Sequence, residues 1–386
     1  MRLTWRALAI AGLVALILGE TGQTAYAYPQ FQLATGNTRC NQCHFGPAGG
    51  GLIAPYGRDE AEGSLSTTAG SGGFFHGLFE LPEWVALGGD LRGATVIKGA
   101  RDSRPQYLTF PMQMDLYARF SGGPVSFNLT LGMRGGARGV SAPVSQRFLS
   151  REHFVMWQPE ETGWYARAGR FFAPYGLRLQ DHTAFLRRYL GQHTLEETYT
   201  LSAGKIEDEW ELHASLFVPP STLKVPFFLG GDVGQPAAGG ALYYERRARE
   251  ETAAYGVQSK IELSGDNTKY WVGGVGKLYL ESAKLLLLSQ LDIGMQTFSF
   301  DSDAQMLLNA HLSATYFLRQ GVLLGATIER YDPHLMLSGS ARDSVNVSAT
   351  WLFRSHWEVV AMGKLDLQQD FSTAVPMTML MLHYYL

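Results

Sequence analysis

The chain has 386 residues, of which 46% are hydrophobic and 17% charged, and its formal net charge is -3 at pH 7. A charge this close to zero does not predict a nucleic-acid-binding protein, whose binding surface is usually basic. Beyond residue 84 no apolar stretch reaches 18 residues, so the sequence predicts no transmembrane helix there.

Residues 1–27 have the pattern of a secretory signal peptide. A start with two arginines precedes an apolar core, 7–18, that is too short to cross a bilayer as a helix. The small-x-small sequence Ala25-Tyr26-Ala27 then predicts cleavage before Tyr28. Because this signal carries a net charge of +1, its removal takes the formal charge from -3 to -4.

The sequence Cys40-Asn41-Gln42-Cys43-His44 holds both cysteines of the chain and reads C-x-x-C-H. This is the attachment motif of a c-type haem. We therefore predict one covalent haem c, with Cys40 and Cys43 as thioether attachment points and His44 as an axial ligand of the iron. Export agrees with this prediction, because bacteria attach haem c outside the cytoplasm.

Two other uses of the cysteine pair agree less well with the sequence. A redox C-x-x-C pair usually begins a helix after a strand and does not need His44. A zinc site takes about four ligands, and no second Cys or His pair lies nearby in the sequence.

Residues 28–83 form the predicted haem-binding segment, which has little apolar periodicity and two glycine-rich runs, at 46–51 and 70–73. A segment this short is marginal for a core of its own, so we expect the haem to lean on the rest of the chain. Glycines at 49–51 would let the backbone approach the porphyrin closely. A flexible tether is the alternative interpretation.

Residues 84–386 are predicted to form an all-β, transmembrane antiparallel barrel of about 16 strands. Apolar and polar residues alternate with period two, as in 107–121, where Leu108, Met112 and Leu116 share one face. A soluble sandwich would alternate similarly, but export and a face that stays apolar in strand after strand favour the outer membrane. The predicted strands begin near residues 85, 107, 124, 150, 163, 198, 209, 238, 252, 269, 285, 305, 321, 343, 357 and 375.

The connections between these segments support the same fold. Tight turns such as 121–124 alternate with longer connections such as 172–197. Short periplasmic turns alternating with long outer loops are typical of outer-membrane barrels. The last strand ends the chain with Tyr384 and Tyr385 beside the terminus, and many such barrels end in an aromatic residue.

The polar face of the strands would line the barrel lumen with charged side chains. They are Asp90, Arg92, Asp115, Arg119, Arg134, Glu211, His213, Glu329, Lys364 and Asp366. A network of paired charges is the favoured interpretation, and an ion path is the alternative. The connection 172–197, rich in Arg and His, would either narrow the lumen or lie on the surface.

The start of the exported chain resembles one known family. Ala27-Tyr28-Pro29-Gln30-Phe31, then Thr35-Gly36, then the C-x-x-C-H motif, is similar to the pattern of the fused monohaem cytochrome c–porins of the bacterial outer membrane, the iron-oxidation type of outer-membrane cytochrome. The chain departs from that pattern in its spacing, with three residues rather than two between Gly36 and Cys40. It also has Gln-Leu-Ala after Phe31, where the family usually has Ala-Arg-Gln.

The resemblance implies that the haem-binding segment plugs the barrel and that electrons cross the outer membrane through it. An extracellular reduced metal such as iron(II) would be the donor, and a periplasmic electron-carrier protein would be the acceptor. Whether this makes the chain an iron(II) oxidase is left open. No catalytic triad or paired-carboxylate arrangement can be argued from the spacing of its residues.

The second axial ligand is not fixed by the motif. No methionine occurs between residues 45 and 111, and His76 is the nearest downstream histidine, so His76 is the candidate distal ligand. A five-coordinate iron is an alternative. The acidic sequence 301–303 could attract iron, but a solvated acidic loop is the favoured explanation. Further distal candidates from the predicted lumen are His213, His311, Met362, Met377 and Met379.

Two functions compete with the electron conduit. One is a passive outer-membrane porin for small solutes, in which the haem is structural or regulatory. The other is a periplasmic haem sensor or peroxide-reacting site. The strand alternation fits a conduit and a porin equally well, and the C-x-x-C-H motif alone separates them.

Overall fold

The computed structural model describes residues 29–34, 39–70, 74–100, 103–133, 143, 146–159, 162–231, 237–248, 252–368 and 373–386. They form one closed barrel of sixteen antiparallel strands, in which each strand pairs with its neighbours in sequence and the first closes on the last. The strands are β1 (Val85–Ala100), β2 (Ser103–Gly122), β3 (Val125–Met133), β4 (Phe148–Trp157), β5 (Trp164–Phe171), β6 (Thr198–Ile206), β7 (Trp210–Val218), β8 (Ala238–Ala248), β9 (Ala253–Ser264), β10 (Asn267–Leu280), β11 (Leu285–Phe298), β12 (Asp301–Arg319), β13 (Val322–Asp332), β14 (Arg342–Arg354), β15 (Trp357–Gln368) and β16 (Thr373–Tyr385).

The prediction of an all-β barrel with sixteen strands is confirmed, and each predicted strand start lies within about four residues of the observed one. The acidic sequence 301–303, predicted as a loop, instead begins β12. The predicted signal peptide, Thr35-Gly36 and Arg134 lie outside the described residues.

Apolar side chains cover the outside of the barrel because successive residues of a strand point to opposite faces. On β10, Val272 is 66% exposed, whereas the neighbouring Trp271 is 1% exposed and faces inward. Such a continuous apolar belt on a closed barrel is what lipid requires, so the chain is an outer-membrane barrel. The belt includes Leu91, Leu116, Phe127, Val155, Leu201, Leu216, Leu242, Val257, Ile293, Leu312, Ile328, Val347 and Leu380.

The alternation predicted for β2 is wrong in the first half of the strand. Leu108 pairs with the inward-facing Val96, whereas Leu116, predicted on the same face as Leu108, lies on the outside of the barrel. A β-bulge opposite Arg92 and Gly93 leaves Met112 as an extra residue between Pro111 and Gln113. The bulge turns Met112 inward, where it packs against a cluster of buried methionines. Proline cannot donate to the strand ladder, which makes the neighbourhood of Pro111 a natural place for a bulge.

The two ends of the barrel differ in their connections. One end, here called the short-turn end, carries seven connections of two to six residues and both the start of β1 and the end of β16. The other, the long-loop end, carries the connections 134–147, 172–197 and 219–237. In outer-membrane barrels the short turns face the periplasm.

Helices are short and few in the described parts of the chain. None of them is long and apolar enough to cross a membrane. They are α1 (Pro29–Gln32), α2 (Cys40–Cys43), α3 (Pro55–Glu60) with a π-helical turn after it (Ala61–Leu65), a 3₁₀ turn (Phe74–Gly77), α4 (Phe185–Tyr189), and the 3₁₀ turns Pro220–Leu223, Phe227–Leu229 and Glu281–Ala283.

The N-terminal segment, meaning residues 29–34 and 39–70, packs against the inner wall of the barrel. Phe31 and Leu65 belong to the same buried cluster as the inward-facing Trp271 and Leu286. At the short-turn end, the Thr67 N–H donates to the Leu352 carbonyl at 2.8 Å. The segment is too short to enclose a core, so the barrel wall supplies one, as its length predicts.

The connection 172–197, here called the inward loop, folds into the lumen and does not lie on the surface. The Tyr175 hydroxyl donates to Asp292 Oδ1 of β11 at 2.7 Å. The Phe185 N–H donates to Glu329 Oε1 of β13 at 2.8 Å. These bonds to separate strands hold the loop across the lumen.

Candidate functional site

A cavity lies in the lumen between the N-terminal segment and the inward loop. It contains about 1750 Å³ of unfilled space, part of which is continuous with solvent. Cys40, Cys43 and His44 all line it, and we call it the Cys–His cavity. The structure therefore brings the three residues of the motif to one space inside the barrel.

A single helical turn fixes the geometry of the motif. In α2 the Arg39 N–H donates to Gln42 Oε1 at 3.1 Å, and the His44 N–H donates to the Cys40 carbonyl at 3.1 Å. Residues three apart on a helix share a face, so Cys40 and Cys43 are presented together. His44 is extended and pairs with Ile53, which ends the helix.

Three consecutive glycines return the backbone to the motif. Gly49, Gly50 and Gly51 have φ values of +74°, +73° and +66°, which other residues adopt with strain. A Cβ on Gly49 would lie 3.2 Å from Cys40 Cβ and 3.8 Å from His44 Cδ2. This turn therefore holds the backbone close to the motif, which favours close approach of the backbone to a haem over a flexible tether.

The two thiols do not resemble a redox-active pair. Neither cysteine is in a disulfide. Burial raises the pKa of Cys40 to about 12 and that of Cys43 to about 12, and the nearby positive charge of Lys277 offsets only part of the effect at Cys40. Redox C-x-x-C motifs instead lower the pKa of the reactive thiol.

Charged side chains of the wall are paired around the cavity. Arg92 contacts Asp90 at 2.7 Å and Arg151 contacts Asp115 at 2.9 Å. Glu211, which also lines the cavity, lies 3.4 Å from His213. Away from the cavity, the predicted lumen residues Glu329, Lys364 and Asp366 also form ion pairs. The favoured interpretation of the lumen as a network of paired charges agrees with these contacts.

Two arginines of the inward loop also line the cavity. Arg178 donates from Nη1 to the Gly49 carbonyl at 2.6 Å, which ties the loop to the glycine turn. Arg187 donates to the Leu179 carbonyl at 3.0 Å, and burial lowers its pKa to about 9. Guanidinium groups are well suited to carboxylates, such as the two propionates of a haem.

The residues present fit a covalently attached haem. The cavity offers two adjacent thiols, a neighbouring imidazole and guanidinium groups for carboxylates. Its apolar lining comes from the N-terminal segment, the inward loop and the barrel wall. It includes Phe31, Ile53, Leu65, Phe172, Leu177 and Leu352.

The candidate distal ligand is placed elsewhere. His76 lies in the 3₁₀ turn just before β1, with its Nε2 3.4 Å from the Tyr384 hydroxyl and its ring 5.2 Å from that of His356. The other sequence candidates lie in the barrel wall and do not line the Cys–His cavity. They are His213, His311, Met362, Met377 and Met379.

Arg178, Arg187 and Lys277 line the cavity but were not singled out from the sequence as site residues. They lie more than 100 residues beyond the motif, and only the barrel closure brings them near it. The single sequence signal was the richness of 172–197 in arginine and histidine.

Comparisons with known proteins place the barrel among porin-like folds. No protein-family model and no curated protein sequence matches the chain. Solved structures do match it, at low sequence identity. They include the outer-membrane-expressed OmpT of Vibrio cholerae (TM-score 0.59, 11% identity, 80% of this chain and 99% of that one), OprB of Pseudomonas putida (0.59, 10%, 78% and 94%) and an anion-selective porin from Comamonas acidovorans (0.56, 9%, 78% and 99%).

These likenesses concern the fold alone. The share of this chain that they cover is close to the share occupied by the barrel, which runs from Val85 to Tyr385. Together with the apolar belt, they define the chain as a porin-like barrel of sixteen strands in the bacterial outer membrane.

Proposed function

We propose that this protein is an outer-membrane electron conduit that carries one covalent haem c. Electrons would pass from an extracellular donor, iron(II) in the family that the N-terminus resembles, to a periplasmic electron-carrier protein. The observation that carries the proposal is the convergence of Cys40, Cys43 and His44 on one cavity inside a closed barrel.

Each residue of the motif has a separate task in this proposal. Cys40 and Cys43 would attach the haem through thioethers, and His44 would ligate the iron. A bound haem supplies a centre that accepts and releases one electron. Arg178 and Arg187 would bind the propionates and so fix the orientation of the group in the cavity.

The position of the segment supports transfer to the periplasmic side. Its outer contacts are with the short-turn end: Thr67 with Leu352, and Arg39 with Asp208 at 2.9 Å. That end faces the periplasm in outer-membrane barrels. A soluble electron carrier would therefore approach the barrel from the side that the N-terminal segment occupies.

The inward loop narrows the lumen, which is compatible with the conduit and with a porin. It crosses the lumen and donates or accepts hydrogen bonds with β11, β13 and β15, the last through the Lys364 ammonium to the Thr183 carbonyl at 2.8 Å. A lumen divided in this way would keep insoluble iron(III) outside while the donor is oxidised at the surface.

A passive porin for small solutes is the second candidate, with the haem structural or regulatory. The observation that favours it is the set of solved structures with this fold, which includes an anion-selective porin and an outer-membrane channel of Acinetobacter baumannii. Taken alone, the comparisons favour this candidate over the conduit.

One vesicle experiment separates the two candidates. The purified holoprotein is placed in lipid vesicles that contain oxidised soluble cytochrome c, and iron(II) is added outside without oxygen. The matched control is the double variant Cys40→Ala, Cys43→Ala in the same vesicles. A conduit reduces the trapped cytochrome only with the holoprotein. Equal reduction with both proteins would mean that iron itself passes through the lumen, as in a porin.

A further inference from the structure

The lining of the Cys–His cavity also bears on which residue could ligate the haem iron opposite His44, a question that rests on the proposed function. Besides His44, no histidine and no methionine lines the cavity among the described residues. The residues that the structure does not describe cannot supply such a ligand. They include no histidine, and their one methionine is Met1, which belongs to the predicted signal peptide.

The other histidines nearest to the lumen are already engaged. His213 lies 2.7 Å from the Tyr165 hydroxyl, and His383 contacts Asp90 at 3.1 Å. His182, in the inward loop, contacts Gln113 at 3.1 Å, and burial together with the charge of Arg187 lowers its pKa well below the usual value. None of these side chains lines the cavity.

The inward-facing methionines form a separate patch on the wall. Met362 and Met379 are direct cross-strand partners on β15 and β16, and Met381 packs with them. Met377 pairs with Lys98 near the end of β1, on the long-loop side of the barrel. The patch therefore covers the middle of the wall, and none of its methionines lines the Cys–His cavity.

The nitrogen and oxygen donors that do line the cavity are mostly committed to other partners. Lys277 contacts Glu245 and Gln32, each at 2.7 Å, and as an ammonium it has no lone pair for iron. The Tyr175 hydroxyl donates to Asp292. Of the remaining lining phenols, Tyr117 on β2 is the one to test as an iron ligand.

We infer that His44 is the single strong protein ligand of the haem iron and that the opposite position is left to water or to a small exogenous ligand. The class of ligand is a diatomic gas or a small anion.

The test is ligand binding and spin state in the purified holoprotein, measured by visible and electron paramagnetic resonance spectroscopy. The inference predicts a high-spin ferric signal and complete conversion of the ferrous form by carbon monoxide. It also predicts that cyanide converts the ferric form to low spin. Tyr117→Phe and His76→Ala should leave all three results unchanged, with Met379→Leu as a control from the methionine patch.

The opposite results would overturn the inference while leaving the proposed function intact. A low-spin, six-coordinate spectrum that carbon monoxide does not change would mean that a second protein ligand is bound. Conversion of such a spectrum to high spin by His76→Ala would name His76 as that ligand. Loss of charge-transfer bands in Tyr117→Phe would identify Tyr117 as the second protein ligand. A preparation without covalent haem would instead overturn the proposed function, and haem content shows this before any ligand is added.

Discussion

The outer wall of the barrel and the segments inside it are stabilised by different interactions. Outside, lipid imposes one requirement on every strand, so exposed apolar side chains such as Val257 and Leu380 recur around the barrel. Inside, the N-terminal segment and the inward loop have little regular structure and are held by a buried apolar cluster together with individual polar contacts. The wall thus tolerates local change as long as it stays apolar, whereas the interior depends on particular pairs.

The largest expected effect is on the interior alone. Cys40→Ala with Cys43→Ala should abolish covalent haem completely, because it removes both sulfurs that could form a thioether, and the barrel should still assemble. Haem staining and heat-modifiable gel mobility measure the two outcomes. Asn41→Ala, which keeps the C-x-x-C-H motif, is the matched control and should retain haem. Disappearance of the double variant from the outer membrane would show that the N-terminal segment is needed for folding of the wall.

A charge on the outer wall should have the next largest effect. Val272→Lys places an ammonium near the middle of β10 on the lipid face and should lower the free energy of unfolding by about 2–4 kcal/mol. Leu263→Lys, near the end of β9, should lower it by about 0–1 kcal/mol, since water is close there. Reversible unfolding from lipid vesicles measures both. Equal effects at the two positions would contradict the assigned lipid face.

Removing one hydroxyl from the inward loop should have a smaller and local effect. Tyr175→Phe leaves Asp292 with one donor fewer, at a cost of about 1 kcal/mol. Hydrogen exchange should rise in 172–197 and stay unchanged in the strands. Tyr189→Phe, whose hydroxyl accepts only from Arg342 near the surface, is the control. A global loss of protection in Tyr175→Phe would show that loop and wall unfold together.

A pH dependence of the same loop is also expected. Burial raises the pKa of Glu196 from 4.5 to about 7, so the folded loop binds a proton that the unfolded loop has already released. The stabilisation is complete below pH 4.5 and is lost as the pH rises through 7. Exchange rates near 193–197 should therefore increase over this interval, after correction for intrinsic chemistry. Glu196→Gln should remove the change, and a persistent change would assign it to another group.

The wall could be predicted from the sequence because one local rule, alternation with period two, repeats sixteen times. The rule failed at Met112, where a bulge inserts a residue that no local pattern reveals. The motif residues Cys40, Cys43 and His44 could also be predicted, since their spacing is local. Their surroundings could not: Arg178 and Lys277 reach the motif only through barrel closure and through the path of the inward loop.

His76 is a second case in which the sequence could not predict what surrounds the motif. Sequence proximity made it the candidate distal ligand, yet the chain turns at 74–77 and places it beside Tyr384 and His356 instead. Distance along the chain carries little information about distance inside a barrel, because closure joins β1 to β16 across nearly 300 residues.

The measurement that tests the central claim most directly is the intact mass and haem content of the protein purified from outer membranes, after expression with the haem-maturation machinery. The account predicts the mass of the exported chain plus one haem, one haem per chain by haemochrome assay, and no thiol that reacts with an alkylating reagent after denaturation. A bare polypeptide mass with two reactive thiols would contradict it and would leave a porin whose lumen happens to hold a C-x-x-C-H sequence.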